Sequence, residues 1–243
     1  MSTLASADWS GPARQLLEST RDLEPGKPAI MHIRHTARMT VTREEAQHNP
    51  SYDLSLHSTP IGIQAAIDFG SSLPKDRRYT LYHTYFERAR ETADAIRRGI
   101  FDISGRAEMG GVIPCKTQYK PEANVIWAKR QRWFPEDGGF HITCQWIAGL
   151  RPSASLKPSS EYSLEMAKIA VENLRGVSSD GLHLYVSHDD WVQVLLFHWF
   201  GMTPQPGGLR FLDGFLMQPL DNGIKAWFRG GCDVYDYPYW WPR

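Results

Sequence analysis

Blocks of apolar residues separated by polar and glycine-rich stretches predict alternating strands and helices. Pro28–Ile33 (PAIMHI) is a short apolar run that reads as a buried strand. Ser58 and Thr59 supply an N-cap, and Pro60 the first turn, for a helix running to about Ser72. Tyr79–Tyr82 predicts a second strand. Phe86–Arg98 has helical character and meets Gly99, a common helix stop. Glu161–Leu174 predicts an amphipathic helix with Gly176 just beyond it. Gly181–Ser187 (GLHLYVS) is the strongest strand signal, and it leads through His188-Asp189-Asp190 into a helix from about Trp191 to Phe200. Leu209–Gln218 and Ile224–Phe228 read as late strands, and residues 1–25 as a polar leader with a short helix around Ala13–Leu23. Residues 104–160 carry several Gly and Pro, together with Trp127, Trp133 and Trp146, and show little regular periodicity; they are expected to form an insertion or cap.

This order implies an α/β fold: a three-layer sandwich with a mostly parallel central sheet flanked by helices. The expectation is one domain over residues 1–243, with 104–160 as the insertion or cap region. Ligands in such folds bind beyond the carboxyl ends of the strands. Arg34-His35 and His188-Asp189 both fall at such ends, so two distant segments are expected to share one pocket.

Composition narrows the function classes. Lys plus Arg and Asp plus Glu are 27 each, a formal net charge of zero, which argues against a general nucleic-acid binder. No apolar run approaches the ~20 residues of a membrane span, and the N-terminus lacks a secretory pattern. Cys115, Cys144 and Cys232 form no CxxC pair, so neither a disulfide framework nor a structural zinc site is expected. A cytoplasmic setting is the simplest expectation.

The candidate chemistry is carried by four segments: Arg34-His35-Thr36-Ala37-Arg38, Thr59-Pro60-Ile61-Gly62, the run from Thr84 to Ala93 (TYFERARETA), and Val186-Ser187-His188. Together they resemble, in order, the Arg-His-Gly-x-Arg signature, the Leu-Thr-x-x-Gly segment, the Ser-x-Leu-x-Arg-Ala-x-Gln-Thr-Ala segment and the second-histidine strand end of the histidine phosphatase (phosphoglycerate mutase-like) superfamily. The resemblance implies a metal-independent phosphomonoesterase acting on a small phosphorylated metabolite, with His35 as the nucleophile. A neutral imidazole can attack phosphorus and form a phosphohistidine that water hydrolyses. Arg34, Arg38 and Arg88 would hold the phosphoryl oxygens with forked hydrogen bonds, and His188 would add a further donor. Arg88 is preferred over Arg90 because it shares a helix face with Thr92. The leaving oxygen needs a proton: Asp189 matches the donor of the acid phosphatase branch, and Glu108 loosely matches that of the mutase branch. No cofactor or metal is implied, and the expected partner is the phosphomonoester alone.

The departures are Thr36 for Gly, whose hydroxyl could donate to phosphate, Thr84 for Ser, and Glu91 for Gln, a negative charge beside the pocket unless it points away. They leave two alternatives open: a phosphomutase using the same phosphohistidine, and a non-catalytic phospho-ligand binder. A metal-dependent His-Asp phosphohydrolase is disfavoured because His188-Asp189 follows a strand. The tryptophans of the insertion read as a satellite core or a pocket lining, Lys129, Arg130 and Arg132 as a solvated charge run, and the aromatic tail 237–243 as a docking segment or interface.

Overall fold

The computed structural model describes residues 2–40, 55–113, 138–150, 156–175 and 180–242. Gly176 and the insertion residues Cys115, Trp127, Lys129, Arg130, Arg132 and Trp133 lie outside them.

Among the described residues seven strands form one sheet: β1 Ala29–Arg34, β2 Arg78–His83, β3 Ala107–Val112, β4 Gly181–Ser187, β5 Gly214–Leu220, β6 Gly223–Phe228 and β7 Gly231–Tyr235. Their spatial order is β3-β2-β4-β1-β5-β6-β7. The first four are mutually parallel, and β5, β6 and β7 continue as an antiparallel meander. The sheet is therefore mixed, with its parallel half around β4. The helices are α1 Thr3–Ser6, α2 Gly11–Ser19, α3 Pro60–Ser71, α4 Glu87–Ser104, α5 Gly138–Ile147, α6 Ser159–Arg175 and α7 Asp189–Phe200. Helix α4 packs along β2, β3 and β4 and against α3, while α6 and α7 pack on β4 and β1.

Most predicted elements appear within a few residues, and the deviations have physical causes. Gly99 does not stop α4, which runs on to Gly105 in a left-handed C-cap at φ 66°. Gly99 is instead a contact residue: a Cβ there would stand 2.1 Å from the Ile67 carbonyl oxygen of α3, and one on Gly70 would stand 2.1 Å from that of Ile96. The two glycines let α3 and α4 cross backbone to backbone. The insertion is more regular than its composition suggests, since it contributes edge strand β3 and helix α5. Strand β3 escaped detection because AEMGGV neither alternates nor forms an apolar run. Residues 209–213, predicted as the start of a strand, form a loop with Leu212 at φ 57°. The tail docks on its own chain: Trp241 is buried edge-on to Trp199, 5.1 Å between centroids. Trp146 is buried beside Tyr162, its indole N–H donating to the Lys157 carbonyl at 2.7 Å; it joins the main core rather than a satellite one.

One row of rings crosses the sheet at a single register. His32 faces Phe215 on β5 and Tyr185 on β4, and Tyr185 faces Tyr82 on β2. The rings stack at 5.1, 4.6 and 4.8 Å between centroids. Nε2 of His32 is buried without a hydrogen-bond partner, and burial lowers the pKa of this imidazole to about 3.

Two predictions follow from this packing. Gly99→Ala drives a methyl group into the α3 backbone and should cost at least about 1–3 kcal/mol, seen as a fall of several degrees in Tm. His32 is neutral in the folded protein down to a pH near 3, whereas its unfolded counterpart titrates near 6.5. Stability is therefore complete above pH 6.5 and declines as the pH falls towards 3, with about 2 kcal/mol lost to this group at pH 5. Denaturant unfolding at pH 7.5 and pH 5 should show a smaller acid loss for His32→Phe, which keeps the stack and removes the titration.

Candidate active site

Three strand ends converge to build the site. Arg34 is in register with Ser187, and His83 with Val186. Beyond them the backbone stays tied, with the His35 N–H donating to the Ser187 carbonyl at 2.9 Å and the Thr84 N–H to that of Val186 at 3.2 Å. His35 and His188 are thereby brought together, both buried, with ring centroids 5.3 Å apart.

The ring nitrogens are differentiated by their partners. Nδ1 of His35 lies 2.7 Å from the Thr36 carbonyl, which can only accept, so that nitrogen carries the proton and Nε2 keeps the lone pair. Nε of Arg88 donates to this lone pair at 3.0 Å. Nη2 of the same guanidinium approaches Nδ1 of His188 at 3.3 Å, and Nε2 of His188 lies 3.0 Å from the Thr84 hydroxyl. One buried arginine thus spans both imidazoles. Burial is the main reason that both histidine pKa values lie well below 6.5, and the nearby positive charge of Arg88 adds to it. Both rings are therefore neutral at pH 7.

Local sequence explains the placement of Arg88. It lies at the start of α4, and Thr92 one turn on accepts the Thr36 N–H at 3.1 Å while donating to the Arg88 carbonyl at 2.6 Å. Arg90, two positions along, projects outward and pairs with Glu87. Gly62, early in α3, comes so close to the histidine loop that a Cβ would stand 2.4 Å from the Ala37 oxygen. Thr59 caps that helix, accepting the Gly62 N–H at 3.0 Å.

Arg34 and Arg38 complete the positive wall. The Arg34 guanidinium lies over the Phe211 ring at 4.6 Å, donates to the Leu209 carbonyl and faces Asp189 at 3.8 Å. Arg38 is half-buried, with Nη1 donating to the Met39 carbonyl at 3.1 Å. Asp189 opens α7; its Oδ1 accepts from the Leu209 N–H at 2.8 Å and the Gln193 amide at 2.7 Å, and its Oδ2 faces Arg34. Burial raises the Asp189 pKa, against the lowering pull of Arg34 and of the Leu209 N–H.

Comparison with known proteins adds the fold. No family model and no curated protein matches the sequence. Solved structures do match. Mycobacterial glucosyl-3-phosphoglycerate phosphatase with inorganic phosphate gives a TM-score of 0.54 at 14% identity, covering 86% of this chain and 96% of that one. Its complex with VO3 gives 0.53 at 13% identity, covering 86% and 99%. The chain shares the α/β fold of this protein. A phosphoglycerate mutase from Bacillus anthracis str. Sterne matches more loosely, with a TM-score of 0.47 at 13% identity over 86% of this chain and 91% of that one.

On this fold, His35, His188 and Arg88 are in direct contact, with Arg34, Arg38 and Asp189 around them. Glu108 does not join the group. It is exposed on edge strand β3 opposite Thr80, from whose hydroxyl it accepts at 3.3 Å. Thr80 is four residues before Thr84, about 13 Å of strand. The Thr36 hydroxyl donates to the Gly62 carbonyl at 2.8 Å, so it serves the loop rather than a phosphate. Glu91 also points away from the imidazoles, towards residues 57 and 58. Three aromatic residues line the site: Phe86 lies within the Thr84–Ala93 segment, whereas Trp191 and Phe211 carried no sequence signal. Phe86 and Trp191 enclose His188 at 4.3 and 5.0 Å between centroids, and Phe211 lies 6.1 Å from His35. Phe211 belongs to the loop that reads as a strand. Among the described residues, His57, Glu87 and Glu91 form a group with metal-ligand spacing at the rim, and no helix is long and apolar enough to cross a membrane.

Thr92→Val is isosteric but leaves the buried Thr36 N–H without an acceptor. It should lower stability by about 1–3 kcal/mol in thermal or denaturant unfolding.

Proposed function

We propose that the protein is a metal-independent phosphomonoesterase that hydrolyses a small phosphorylated metabolite through a phosphohistidine on His35. The observation that carries this reading is the Arg88 guanidinium held between two neutral imidazoles, one of them with its Nε2 lone pair directed at that guanidinium. A phosphoryl group entering there would take over the hydrogen bonds that Arg88 now makes to the rings. Phosphoryl transfer needs little beyond a nucleophile, alignment and fixed positive charge on the equatorial oxygens. Arg34, Arg38 and Arg88 supply that charge, and His188, whose Nε2 is held by Thr84, adds an Nδ1–H donor once protonated.

In the first step the P–Nε2 bond to His35 forms as the P–O bond to the leaving group breaks. The leaving oxygen takes a proton from Asp189, whose raised pKa favours the acid form and whose Oδ2 is the less engaged oxygen. In the second step water attacks phosphorus, its proton returns to Asp189, and the P–N bond breaks, freeing phosphate and regenerating neutral His35. The position of Glu108 on the edge strand favours Asp189 of the two candidate acids. The fold shared with a phosphatase solved with phosphate and with VO3 supports the same reading.

Turnover of p-nitrophenyl phosphate in chelator should release free phosphate and fall by about 10³-fold or more in His35→Ala; equal activity in wild type and mutant would reject the assignment. Asp189→Asn should slow an alkyl phosphate by about 10²-fold or more and p-nitrophenyl phosphate much less, since only the alkoxide needs a proton to leave. Equal slowing of the two would remove Asp189 from the acid role.

A further inference from the structure

Glu91 stands where the resembled motif has glutamine, and its carboxylate is fully engaged outside the pocket. Oε2 accepts the Ser58 N–H at 2.7 Å, and Oε1 meets Nδ1 of His57 at 2.6 Å. Ser58 is the antiparallel partner of Arg38. Two backbone hydrogen bonds frame that pair, from Met39 N–H to the His57 carbonyl and from Thr59 N–H to the Ala37 carbonyl, both 2.8 Å. In such a pair the N–H of Ser58 points away from Arg38's strand, and Glu91 takes it. The Ser58 hydroxyl also reaches the Arg88 carbonyl at 3.4 Å. The short ladder carrying Arg38 is thereby fastened to helix α4, one turn from the arginine that spans the imidazoles.

We propose that Glu91 is the positioning residue for Arg38, setting the separation of the Arg38 and Arg88 guanidinium groups so that both grip one phosphoryl unit. The proposal rests on the phosphomonoesterase reading above. Glu91 touches neither imidazole; it acts through Ser58 and His57. The carboxylate suits the task because it accepts two hydrogen bonds at once, from a backbone N–H and from an imidazole whose pKa this contact raises. Glutamine can keep both bonds, its carbonyl accepting from Ser58 and its amide donating to a neutral His57. Alanine keeps neither and leaves the ladder free to shift relative to α4.

The test measures inorganic phosphate and vanadate as ligands, by calorimetry and as competitive inhibitors, in Glu91→Ala, Glu91→Gln, Arg38→Ala and Glu91→Ala/Arg38→Ala. Glu91→Ala should weaken phosphate binding about tenfold and Glu91→Gln no more than about twofold. In the Arg38→Ala background Glu91→Ala should add almost nothing, because the effect travels through Arg38. A purely structural role would lower Tm and the active fraction by the same factor in both backgrounds and would leave affinity per folded molecule unchanged; either result overturns the proposal. Equal loss in Glu91→Gln and Glu91→Ala also overturns it. Because binding is read without turnover, tight phosphate binding that ignores Glu91 refutes this inference alone, whereas a wild-type protein that binds neither anion refutes the phosphomonoesterase reading and this inference with it.

Discussion

A guanidinium buried between two imidazoles is the arrangement on which the rest of the site depends. Arg88 is always charged, and hydrogen-bond acceptors that offset its burial include a ring nitrogen on each side. Those acceptors exist because the rings are neutral, and the rings are neutral because burial and the guanidinium itself oppose protonation. The charge state of each group thus follows from the others. The guanidinium sets a fixed positive charge against two neutral rings.

Holding this triad requires backbone contacts from several directions. The parallel half of the sheet aligns the ends of β1, β2 and β4 so that His35, Thr84 and His188 emerge side by side. Helices α3 and α4 come close enough to reach the histidine loop because Gly62, Gly70 and Gly99 remove the side chains that would separate them. Thr92 then joins the loop to the helix carrying Arg88. On the other side, loop 205–213 is pinned by Asp189, Gln193 and Arg34. Arg229, at φ 48°, bonds both Asp213 and the Gly208 carbonyl. That loop places Phe211 beside Arg34 and His35, so a residue far from the motifs joins the site.

The residues departing from the resembled motif prove to be structural connectors. Thr36 uses its hydroxyl on Gly62, Thr84 orients His188, and Glu91 engages Ser58 and His57. None of them intrudes between the imidazoles, so the contacts among His35, Arg88 and His188 form despite the departures.

Much of this was legible in the chain. Gly181–Ser187, the Thr59-Pro60 helix start and the His35 and His188 strand ends are local signals, because period, capping and apolar runs are properties of neighbouring residues. The face shared by Arg88 and Thr92 followed from helical spacing alone. What the chain could not reveal is whatever depends on a partner distant in sequence. Gly99 looks like a helix stop until Ile67 is placed against it, and β3 has no strand signal until β2 pairs with it. Glu108 and Asp189 are equivalent carboxyls until the register puts one on an edge strand and the other beside Arg34. The sequence by itself determined the strand and helix alternation and the identity of the imidazoles and guanidiniums. The tertiary structure decided their tautomers, their neutrality and which carboxyl faces them, because desolvation and hydrogen bonding arise only when distant segments close around a group and exclude water.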